Sequence, residues 1–375
     1  MPHTNASKQF LIAPLDWGLG HATRCIPVIR ALQQHGHQVL AATRGDTQKL
    51  LSAEFPGIEC VPITGYNISY SSHPLLLMLK FPFMVARVYR CAALEHAEIE
   101  KIVSEKNIDC VISDQRFGCY SNNAYSVYIS HQLCVKMPGI SGMIEKAVSK
   151  RLRMAAERYN ELWIPDREKE PNLTGDLAKK YPLPKNAHFI GILSRFSGHN
   201  AHPDEAHTRD LLVMLSGPEP QRTMFELKIL NQLSSFDGTA TVLRGTPQLT
   251  TKATMGKNIE ILPHLPTSQT AKYLAGAKAV VCRGGYTTIM ELVSLGKKAI
   301  LVPTPGQTEQ QYLCNRLASQ GMFIMQKQSK LNIHEGIKQL QSIKKPDADY
   351  SSGLLDAAVD NLFSTMNMKK AGHSL

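Results

Sequence analysis

The 375-residue chain lacks any long apolar segment: its apolar runs end after five residues, as Lys80 ends the run Leu75–Leu79. A helix needs about 20 apolar residues to cross a bilayer, so no segment is expected to span a membrane. The stretch Phe10–Leu15 is also too short for a signal-peptide core. We therefore expect a cytoplasmic protein, which could act at the inner face of the membrane.

Closely spaced cysteines and biased tracts are missing as well. The eight cysteines include no Cys-x-x-Cys pair, which argues against a zinc framework or a secreted disulfide scaffold. The chain has no internal repeat of fixed period. With 43% hydrophobic and 19% charged residues, it has the composition of a core-forming globular protein. Disordered, collagenous and coiled-coil classes are thereby excluded.

Acidic residues are few relative to basic ones. The chain has 42 Lys and Arg against 31 Asp and Glu, a formal net charge of +11. Such a surplus favours anionic partners, either phosphorylated substrates or an anionic membrane surface. Because we find no Arg-rich arm, zinc finger or aromatic-basic RNA motif, nucleic acid is not an expected partner.

Short apolar runs alternate with helical stretches almost throughout, and this predicts βαβ units with parallel sheets. We expect an α/β protein with two Rossmann-like domains. The polar stretch 196–206 predicts one boundary, and Lys344–Asp347 a second. The predicted parts are residues 1–200, residues 201–345, and a C-terminal helix and tail at 346–375 that could return to the first domain. The predicted strands are Phe10–Pro14, Gln38–Thr43, Glu59–Ile63, Asp109–Ser113, Ser126–Ser130, Leu162–Pro165, His188–Leu193, Leu211–Ser216, Thr239–Leu243, Ile259–Leu262, Ala279–Cys282, Ala299–Val302 and Phe323–Met325.

The sharpest motif lies in the second half, where the predicted strand ending at Cys282 runs into Arg283-Gly284-Gly285 and a helix. Paired glycines allow close backbone approach, and the N–H groups of the following helix favour an anion such as a diphosphate. Thr287 and Thr288 add hydroxyl donors, and the carboxylate of Glu291, one turn later, could accept both hydroxyls of a ribose. The competing interpretation is a plain strand–turn–helix with a solvated glutamate.

A pair of amides, Gln310 and Gln311, opens the helix that follows the next predicted strand. Doubly wound sheets bind ligands at the carboxyl ends of their strands. Amide side chains suit sugar hydroxyls because each both donates and accepts hydrogen bonds.

These residues resemble the C-terminal half of glycosyltransferase family 28, the MurG-like UDP-sugar glycosyltransferases of the GT-B superfamily. The resemblance is carried by Arg283-Gly284-Gly285, Thr288, Glu291, Gly296 and Gln310-Gln311-Tyr312. It covers residues 210–325 well and the first 45 residues partly. It implies two domains facing across a cleft, with Thr288 near the donor diphosphate, Glu291 on the ribose, and Gln310 and Gln311 near the sugar.

Two further donor elements follow from the resemblance. Ser216-Gly217 ends a predicted strand where the family has a phosphate turn. Here two prolines remove N–H donors, so Arg222 would compensate, with Glu219 opposing it. Leu265 follows a strand end where such enzymes hold the uracil through backbone groups, although an ordinary strand end explains it nearly as well.

The first predicted strand leads into Asp16-Trp17-Gly18-Leu19-Gly20-His21. As a dinucleotide fingerprint this turn lacks its third glycine. It resembles the glycine turn with which family 28 meets the acceptor, and so implies acceptor contacts for Asp16, Gly18 and Gly20. An inverting transfer needs a base for the acceptor hydroxyl, and the imidazole of His21 suits that task. A helix-capping role for His21 and base catalysis by Asp16 are the alternatives.

Asp114 follows another predicted strand, 93 residues after His21. Plant-type UDP-glycosyltransferases orient an N-terminal histidine with an aspartate at similar separation, so we predict a catalytic dyad of His21 and Asp114. Capping of a helix by Asp114 is the rival interpretation. His131 could line the same site. No metal and no cofactor are predicted, since the Asp347-x-Asp349 pair lies in a polar break; the UDP-sugar is a substrate.

The segment Pro74–Arg90 combines apolar residues with cations, as an interfacial anchor does. A buried helix kinked at Pro82 is an equally good interpretation. Lys146, Lys150, Arg151 and Arg153 could extend a positive face or simply solvate a helix.

The sequence as a whole predicts a metal-independent inverting glycosyltransferase. It would move a hexose or N-acetylhexosamine from a UDP-sugar to a hydroxyl acceptor, which could be lipid-linked or part of the cell envelope. A UDP-GlcNAc 2-epimerase-like enzyme and a non-catalytic nucleotide-sugar-binding protein remain as alternatives.

Overall fold

The computed structural model describes residues 7–66, 74–136, 142–197, 207–246, 251–350 and 353–372, with backbone alone for 74–85 and 369–372. The chain divides into two compact units. The first unit comprises Met1–Val135, Gly139–Ile192 and Ser351–Leu375, and the second comprises Lys136–Pro138 and Leu193–Tyr350.

The first unit is built on a seven-stranded sheet of order β3-β2-β1-β4-β5-β6-β7, in which every pairing is parallel. Phe10, Leu11, Ile12 and Ala13 of β1 are fully buried, as expected for a strand covered on both faces. Its elements are β1 (Gln9–Pro14), α1 (Leu19–Gln34), β2 (Gln38–Ala42), α2 (Gly45–Glu54), β3 (Glu59–Val61), α3 (Pro74–Lys106), β4 (Cys110–Asp114), β5 (Tyr125–Ile129), α4 (Gly142–Ala156), β6 (Glu161–Ile164), α5 (Asp176–Lys179) and β7 (Ala187–Phe189).

The second unit holds another seven-stranded sheet, of order β10-β11-β9-β8-β12-β13-β14. All its pairings are parallel except the edge pair of β10 with β11. The sequence did not predict β10, because this three-residue strand has no apolar run. The elements are β8 (Arg209–Met214), α6 (Gln221–Leu233), β9 (Ala240–Leu243), β10 (Ala253–Met255), β11 (Ile259–Leu262), α7 (Thr267–Gly276), β12 (Ala277–Cys282), α8 (Tyr286–Ser294), β13 (Ala299–Leu301), α9 (Thr308–Ser319), β14 (Ile324–Met325) and α10 (Ile333–Leu340).

The strand order of each sheet reverses beside its first strand. In the first unit β1 lies between β2 and β4, with Pro14 in register with Asp114. In the second unit β8 lies between β9 and β12, with Met214 in register with Cys282. Doubly wound sheets bind their ligands at such switch points. The turns that contain the predicted site residues therefore lie at the carboxyl edges of the two sheets, as expected.

The last helix, α11 (Leu354–Gly372), belongs to the first unit, as predicted. The Phe363 ring packs against the rings of Phe10 and His37, with centroids 5.8 and 4.3 Å apart. Lys8 Nζ donates to Asn367 Oδ1 at 2.6 Å. The predicted fold class, α/β with two parallel-dominated sheets and a returning C-terminal helix, is confirmed.

Across the described residues, we find no helix with the length and apolar content needed to span a bilayer. The predicted Pro74–Arg90 anchor lies within α3, but its apolar part, residues 74–85, is outside the described side chains.

Candidate active site

The switch point of the first unit brings His21 and Asp114 together. Gly18 has a φ of 81°, a left-handed conformation that favours glycine, and α1 begins at the next residue. His21 therefore lies in the first turn of α1, next to the end of β4. Its Nδ1 is 3.2 Å from Oδ2 of Asp114. The two residues predicted as a dyad are neighbours in space.

Arg24 completes this cluster, and the sequence analysis missed it. Its Nε donates to Asp114 Oδ2 at 2.7 Å and its Nη2 to Oδ1 at 2.5 Å, a bidentate pair. Nη2 also lies 2.7 Å from His21 Nδ1. The available signal was spacing, because Arg24 follows His21 by three residues and helical residues three apart are neighbours.

Burial and charge act on the protonation of this cluster. Burial and then the Arg24 charge lower the pKa of His21 below its ordinary value, against a smaller opposite effect of Asp114. Burial alone would raise the pKa of Asp114, but the charges of Arg24 and His21 outweigh it and lower that pKa. The site thus holds an ionised carboxylate beside an imidazole that favours its neutral form.

His131 and Gln115 adjoin the cluster. Gln115 follows Asp114 with a φ of 56°, which is uncommon for a residue other than glycine and often marks functional sites. Its Nε2 donates to His131 Nδ1 at 3.3 Å. Arg24 Nη1 lies 3.5 Å from the same nitrogen, so His131 shares the site as expected.

Two of the three predicted acceptor residues, Asp16 and Gly18, line a pocket of about 210 Å³. Its lining residues are Asp16, Gly18, Leu19, Arg44, Gly45, Asp46 and Thr47. Asp16 Oδ2 accepts from Arg44 Nε at 3.1 Å, and Oδ1 is 3.7 Å from Arg116 Nη1. Two arginines thus compensate the Asp16 carboxylate, which makes it a weaker candidate base than His21. Gly20 lies in the first turn of α1.

A second pocket of the first unit is smaller, about 150 Å³, and mostly apolar. Trp17, Tyr66, Phe117 and Tyr128 give it an aromatic lining, and Gln115 connects it to the His21 cluster. Trp17 is 37% exposed, whereas Trp163 is fully buried.

The second unit presents three helix N-termini after neighbouring strands: α6 follows β8, α8 follows β12 and α9 follows β13. No N-cap side chain bonds to any of the three helices, and neither α6 nor α8 has an acidic residue in its first turn. At α6, however, Glu219 Oε2 accepts from the Thr223 N–H at 3.2 Å. The first N–H groups and dipoles of α8 and α9 therefore favour an anion more than those of α6. Gly217, with a φ of 105°, forms the turn after β8.

The paired glycines after β12 have different structural reasons. A Cβ on Gly284 would lie 2.1 Å from Cys314 Sγ on α9, so only glycine fits the packing of this turn. A Cβ on Gly285 would meet nothing within 4 Å, and Gly285 is the N-cap of α8. Thr287 and Thr288 follow in the first turn of α8, both half-buried.

The side chain of Arg283, predicted to bind the donor, is bonded within the protein. The side chain is 1% exposed, and its Nη2 donates to the Gln221 carbonyl at 2.9 Å. Nη1 donates to the carbonyls of Val302 and Pro303 at 3.4 and 3.5 Å, and the guanidinium lies 3.9 Å from the Phe225 ring centroid. Burial lowers the pKa of Arg283 to about 10. Arg283 thus links the residues after β13 to the first turn of α6.

Arg222 is also committed within the protein. Its Nε donates to Glu219 Oε1 at 2.6 Å and its Nη1 to Glu226 Oε2 at 2.8 Å. Two carboxylates therefore compensate the charge that was expected to make up for the proline-containing phosphate turn.

Glu291 is 3% exposed, and its Oε1 is 2.9 Å from Arg195 Nε. Burial raises the pKa of Glu291, and Arg195 offsets that effect in part. The ribose contact predicted for this carboxylate therefore requires Arg195 to share it or to shift. Arg195 was not identified from the sequence, because nothing in its local pattern links it to α8.

The remaining predicted donor residues lie at the same edge of the sheet or near it. Gln310 Oε1 accepts from the Thr304 N–H at 2.8 Å, and its Nε2 donates to Gln307 Oε1 at 2.5 Å, so this amide holds the loop after β13. Gln311 is half-buried beside it. Leu265 is buried three residues after β11, and its carbonyl accepts from Thr270 Oγ1 at 3.2 Å.

No group of three or more His, Cys, Asp or Glu side chains within the described ranges is arranged to hold a metal ion. The metal-free and cofactor-free mechanism stays a prediction.

Comparison with known proteins decides the class. Residues 230–355 match the family model described as glycosyltransferase family 28 C-terminal domain. This part of the chain is similar to the C-terminal domain of family 28 glycosyltransferases. The predicted resemblance is thereby confirmed, and with it the enzyme class, a glycosyltransferase.

Relatives of this glycosyltransferase extend the match to both units. The UDP-N-acetylglucosamine–N-acetylmuramyl-(pentapeptide) pyrophosphoryl-undecaprenol N-acetylglucosamine transferase of Alkaliphilus oremlandii is 24% identical over 82% of this chain and 86% of its own. Among solved structures, the kitacinnamycin glycotransferase matches with a TM-score of 0.63 and 15% identity, covering 96% of this chain and all of that one. MurG of Acinetobacter baumannii matches with a TM-score of 0.54 and 12% identity, covering 96% and 99%. These structures share the GT-B fold with the glycosyltransferase described here.

Proposed function

We propose that this glycosyltransferase moves a hexose or N-acetylhexosamine from a UDP-sugar to a hydroxyl acceptor, with inversion and without a metal. The observation that carries the donor half is the pair of N-termini of α8 and α9, which follow neighbouring strands and have no side-chain cap. Backbone N–H groups there would stabilise the charge of the departing diphosphate. The name of the Alkaliphilus relative, a UDP-N-acetylglucosamine-dependent transferase, supports the same assignment.

The first unit would supply the base. His21 lies beside Asp114 and is 15% exposed at its side chain, so one edge of its ring can meet an acceptor. The lowered pKa of His21 keeps a neutral imidazole available at neutral pH. In the reaction the acceptor oxygen attacks the anomeric carbon, the bond to UDP breaks, and the hydroxyl proton passes to the imidazole. The aromatic pocket at Trp17 and Tyr66 favours an acceptor with an apolar part.

The test is release of free UDP from several UDP-sugars, with and without a lipid extract as acceptor source. Acceptor-dependent UDP release is the expected result. Interconversion of the UDP-sugar without an acceptor would indicate an epimerase instead, and binding without turnover would indicate a non-catalytic sugar-nucleotide sensor. The fluorescence of Trp17 offers an independent measure of acceptor binding, with Trp17→Phe as control, because the other tryptophan is buried.

We also propose that the enzyme contacts an anionic membrane surface through α3 and α4, which meet where Arg151 Nη1 donates to Tyr89 Oη at 3.2 Å. Large apolar side chains are exposed on both helices, with cations among them. The apolar ones are Tyr89, Leu94, Met143, Ile144 and Met154, and the exposed cations are Arg87, Arg90, Lys146, Lys150 and Arg151. Exposed apolar groups beside cations suit an interface of acyl chains and anionic headgroups.

This contact predicts co-sedimentation with phosphatidylglycerol vesicles and much weaker binding to phosphatidylcholine vesicles. The variant Lys146→Glu/Lys150→Glu should abolish the difference, whereas Lys228→Glu/Lys338→Glu, on α6 and α10 of the second unit, should not. Equal binding to both vesicle types by the wild type would contradict the proposal.

A further inference from the structure

The ring nitrogen Nδ1 of His21 has two neighbours that make incompatible demands. Arg24 Nη2 lies 2.7 Å away, and Asp114 Oδ2 lies 3.2 Å away. A guanidinium can only donate hydrogen bonds, so the Arg24 contact requires a lone pair on Nδ1. A carboxylate can only accept, so the Asp114 contact requires a hydrogen there. The shorter distance favours the lone pair, which leaves the ring proton on Nε2.

Arg24 already compensates the negative charge of Asp114. Both of its oxygens accept from Arg24, at 2.7 and 2.5 Å, and both side chains are buried. This carboxylate therefore has little capacity left to stabilise an imidazolium. A protonated His21 would in addition place a positive ring within 2.7 Å of the guanidinium. Geometry and charge both select a neutral ring.

We propose that Arg24 is a positioning residue that fixes the proton content of His21, holding the ring neutral with its resting proton on Nε2. This deepens the proposed function and depends on it only for the effect on turnover. Base action at Nε2 would begin from the other neutral tautomer, in which Nδ1 carries the proton and donates to Asp114. The two tautomers are related by moving one proton between the ring nitrogens.

The groups facing the ring come from three elements. Arg24 and Cys25 belong to α1, Asp114 ends β4, and His131 follows β5. Cys25 Sγ is 3.9 Å from Asp114 Oδ2, and burial raises its pKa well above the ordinary value, so it stays a neutral thiol. Arg24 and His131 disfavour a charged His21, and Asp114 favours it. Removing Arg24 therefore leaves Asp114 as the dominant charge.

The experiment is NMR of the full chain with ¹⁵N-labelled histidine, with the His21 signals assigned by comparison with His21→Gln. In the wild type at pH 7.5 we expect an unprotonated Nδ1 and a protonated Nε2, and a ring that stays neutral down to below pH 6.5. In Arg24→Met the His21 pKa should rise above its wild-type value by at least about one unit, because an unpaired carboxylate now faces Nδ1. In Arg24→Met/Asp114→Asn both charges are gone, and burial should bring the pKa back below 6.5.

Three outcomes would overturn the proposal: a protonated Nδ1 in the wild type at pH 7.5, an unchanged His21 titration in folded Arg24→Met, or failure of the double variant to reverse the shift. The wild-type spectrum is decisive for the tautomer even if Arg24→Met does not fold. In that case Arg24→Lys, which keeps the charge, should keep the ring neutral at pH 7.5, and a charged ring would contradict the proposal. Turnover is a separate readout, because the acidic limb of kcat/KM should move upward with the NMR pKa. The expected NMR shifts without UDP release from any sugar would refute the proposed function and still support the role of Arg24.

Discussion

The two switch points of this glycosyltransferase differ in the chemical groups that form them. In the first unit, side-chain charges converge: Arg24, Asp114 and His21 lie within 3.2 Å of one another. In the second unit, the edge consists of glycine turns and helix N-termini, and its arginines face inward or pair with carboxylates. A proton-transfer site needs groups that titrate, whereas a diphosphate site can be made of backbone N–H groups that never change charge. Substitutions in the first unit should therefore mainly lower turnover, and those in the second unit should mainly weaken UDP binding.

The largest effect is expected for His21→Ala. Loss of a general base costs typically 100- to 10,000-fold in rate, so turnover should fall in that range while UDP affinity stays nearly unchanged. The measurement is UDP release at saturating donor, together with UDP binding by calorimetry. The matched control is His35→Ala, at the end of the same helix, where the ring bonds to the Ala31 carbonyl and Asp360. Full activity of His21→Ala would refute the assignment of the base.

Gly284→Ala should come next, because its Cβ would lie 2.1 Å from Cys314 Sγ. Overpacking of this kind costs typically 1–3 kcal/mol. We expect a lower melting temperature and weaker UDP binding as the turn moves. Gly285→Ala is the matched control, since a Cβ there meets nothing within 4 Å. The double variant Gly284→Ala/Cys314→Ala should recover part of the stability, and no recovery would show that the clash is not the cause.

Glu291→Gln should weaken UDP binding moderately, by about 1–3 kcal/mol, the typical cost of losing a hydrogen bond to a charged group. Because the pKa of Glu291 is raised, lowering the pH should neutralise it and weaken UDP binding in the wild type but not in the variant. Calorimetric titration between pH 5 and pH 8 measures both effects. Glu260→Gln, which removes an ion-paired carboxylate from β11, serves as the control. Parallel pH dependence in wild type and Glu291→Gln would exclude the ribose role.

Arg222→Ala is expected to have the smallest effect. Glu219 and Glu226 already compensate this charge, and partly exposed ion pairs contribute typically less than 1 kcal/mol. UDP affinity should change by less than about threefold. A loss tenfold or greater would mean that Arg222 leaves its carboxylates for the diphosphate, and the contrast between the two units would then need revision.

The sequence predicted the fold closely, because strands covered on both faces appear as uninterrupted apolar runs. It missed β10, whose three residues pair only along the sheet edge. The proximity of predicted site residues followed from the sequence where the backbone determines their position. Pro14 and Asp114 are in register because both end strands beside the switch point.

Contacts that depend on the direction of a side chain could not be predicted from the sequence. Arg283 follows a strand, as a phosphate ligand would. Its side chain is nevertheless buried and donates to the Gln221 carbonyl. Arg24 looks like an ordinary helical residue until β4 is placed beside it. Arg195 and Glu291 are paired only by the tertiary fold. Local spacing could bring Arg24 next to His21 but carries no information on the contacts with Asp114 or between Arg195 and Glu291.

The membership of α11 in the first unit has a consequence for biosynthesis. The partners of Phe363 and Asn367, namely Phe10, His37 and Lys8, precede the second unit along the chain, whereas α11 follows it. During translation, the β1 side of the first sheet therefore stays uncovered by α11 until the second unit has been synthesised. The second unit is thus synthesised before the first unit can close its own core.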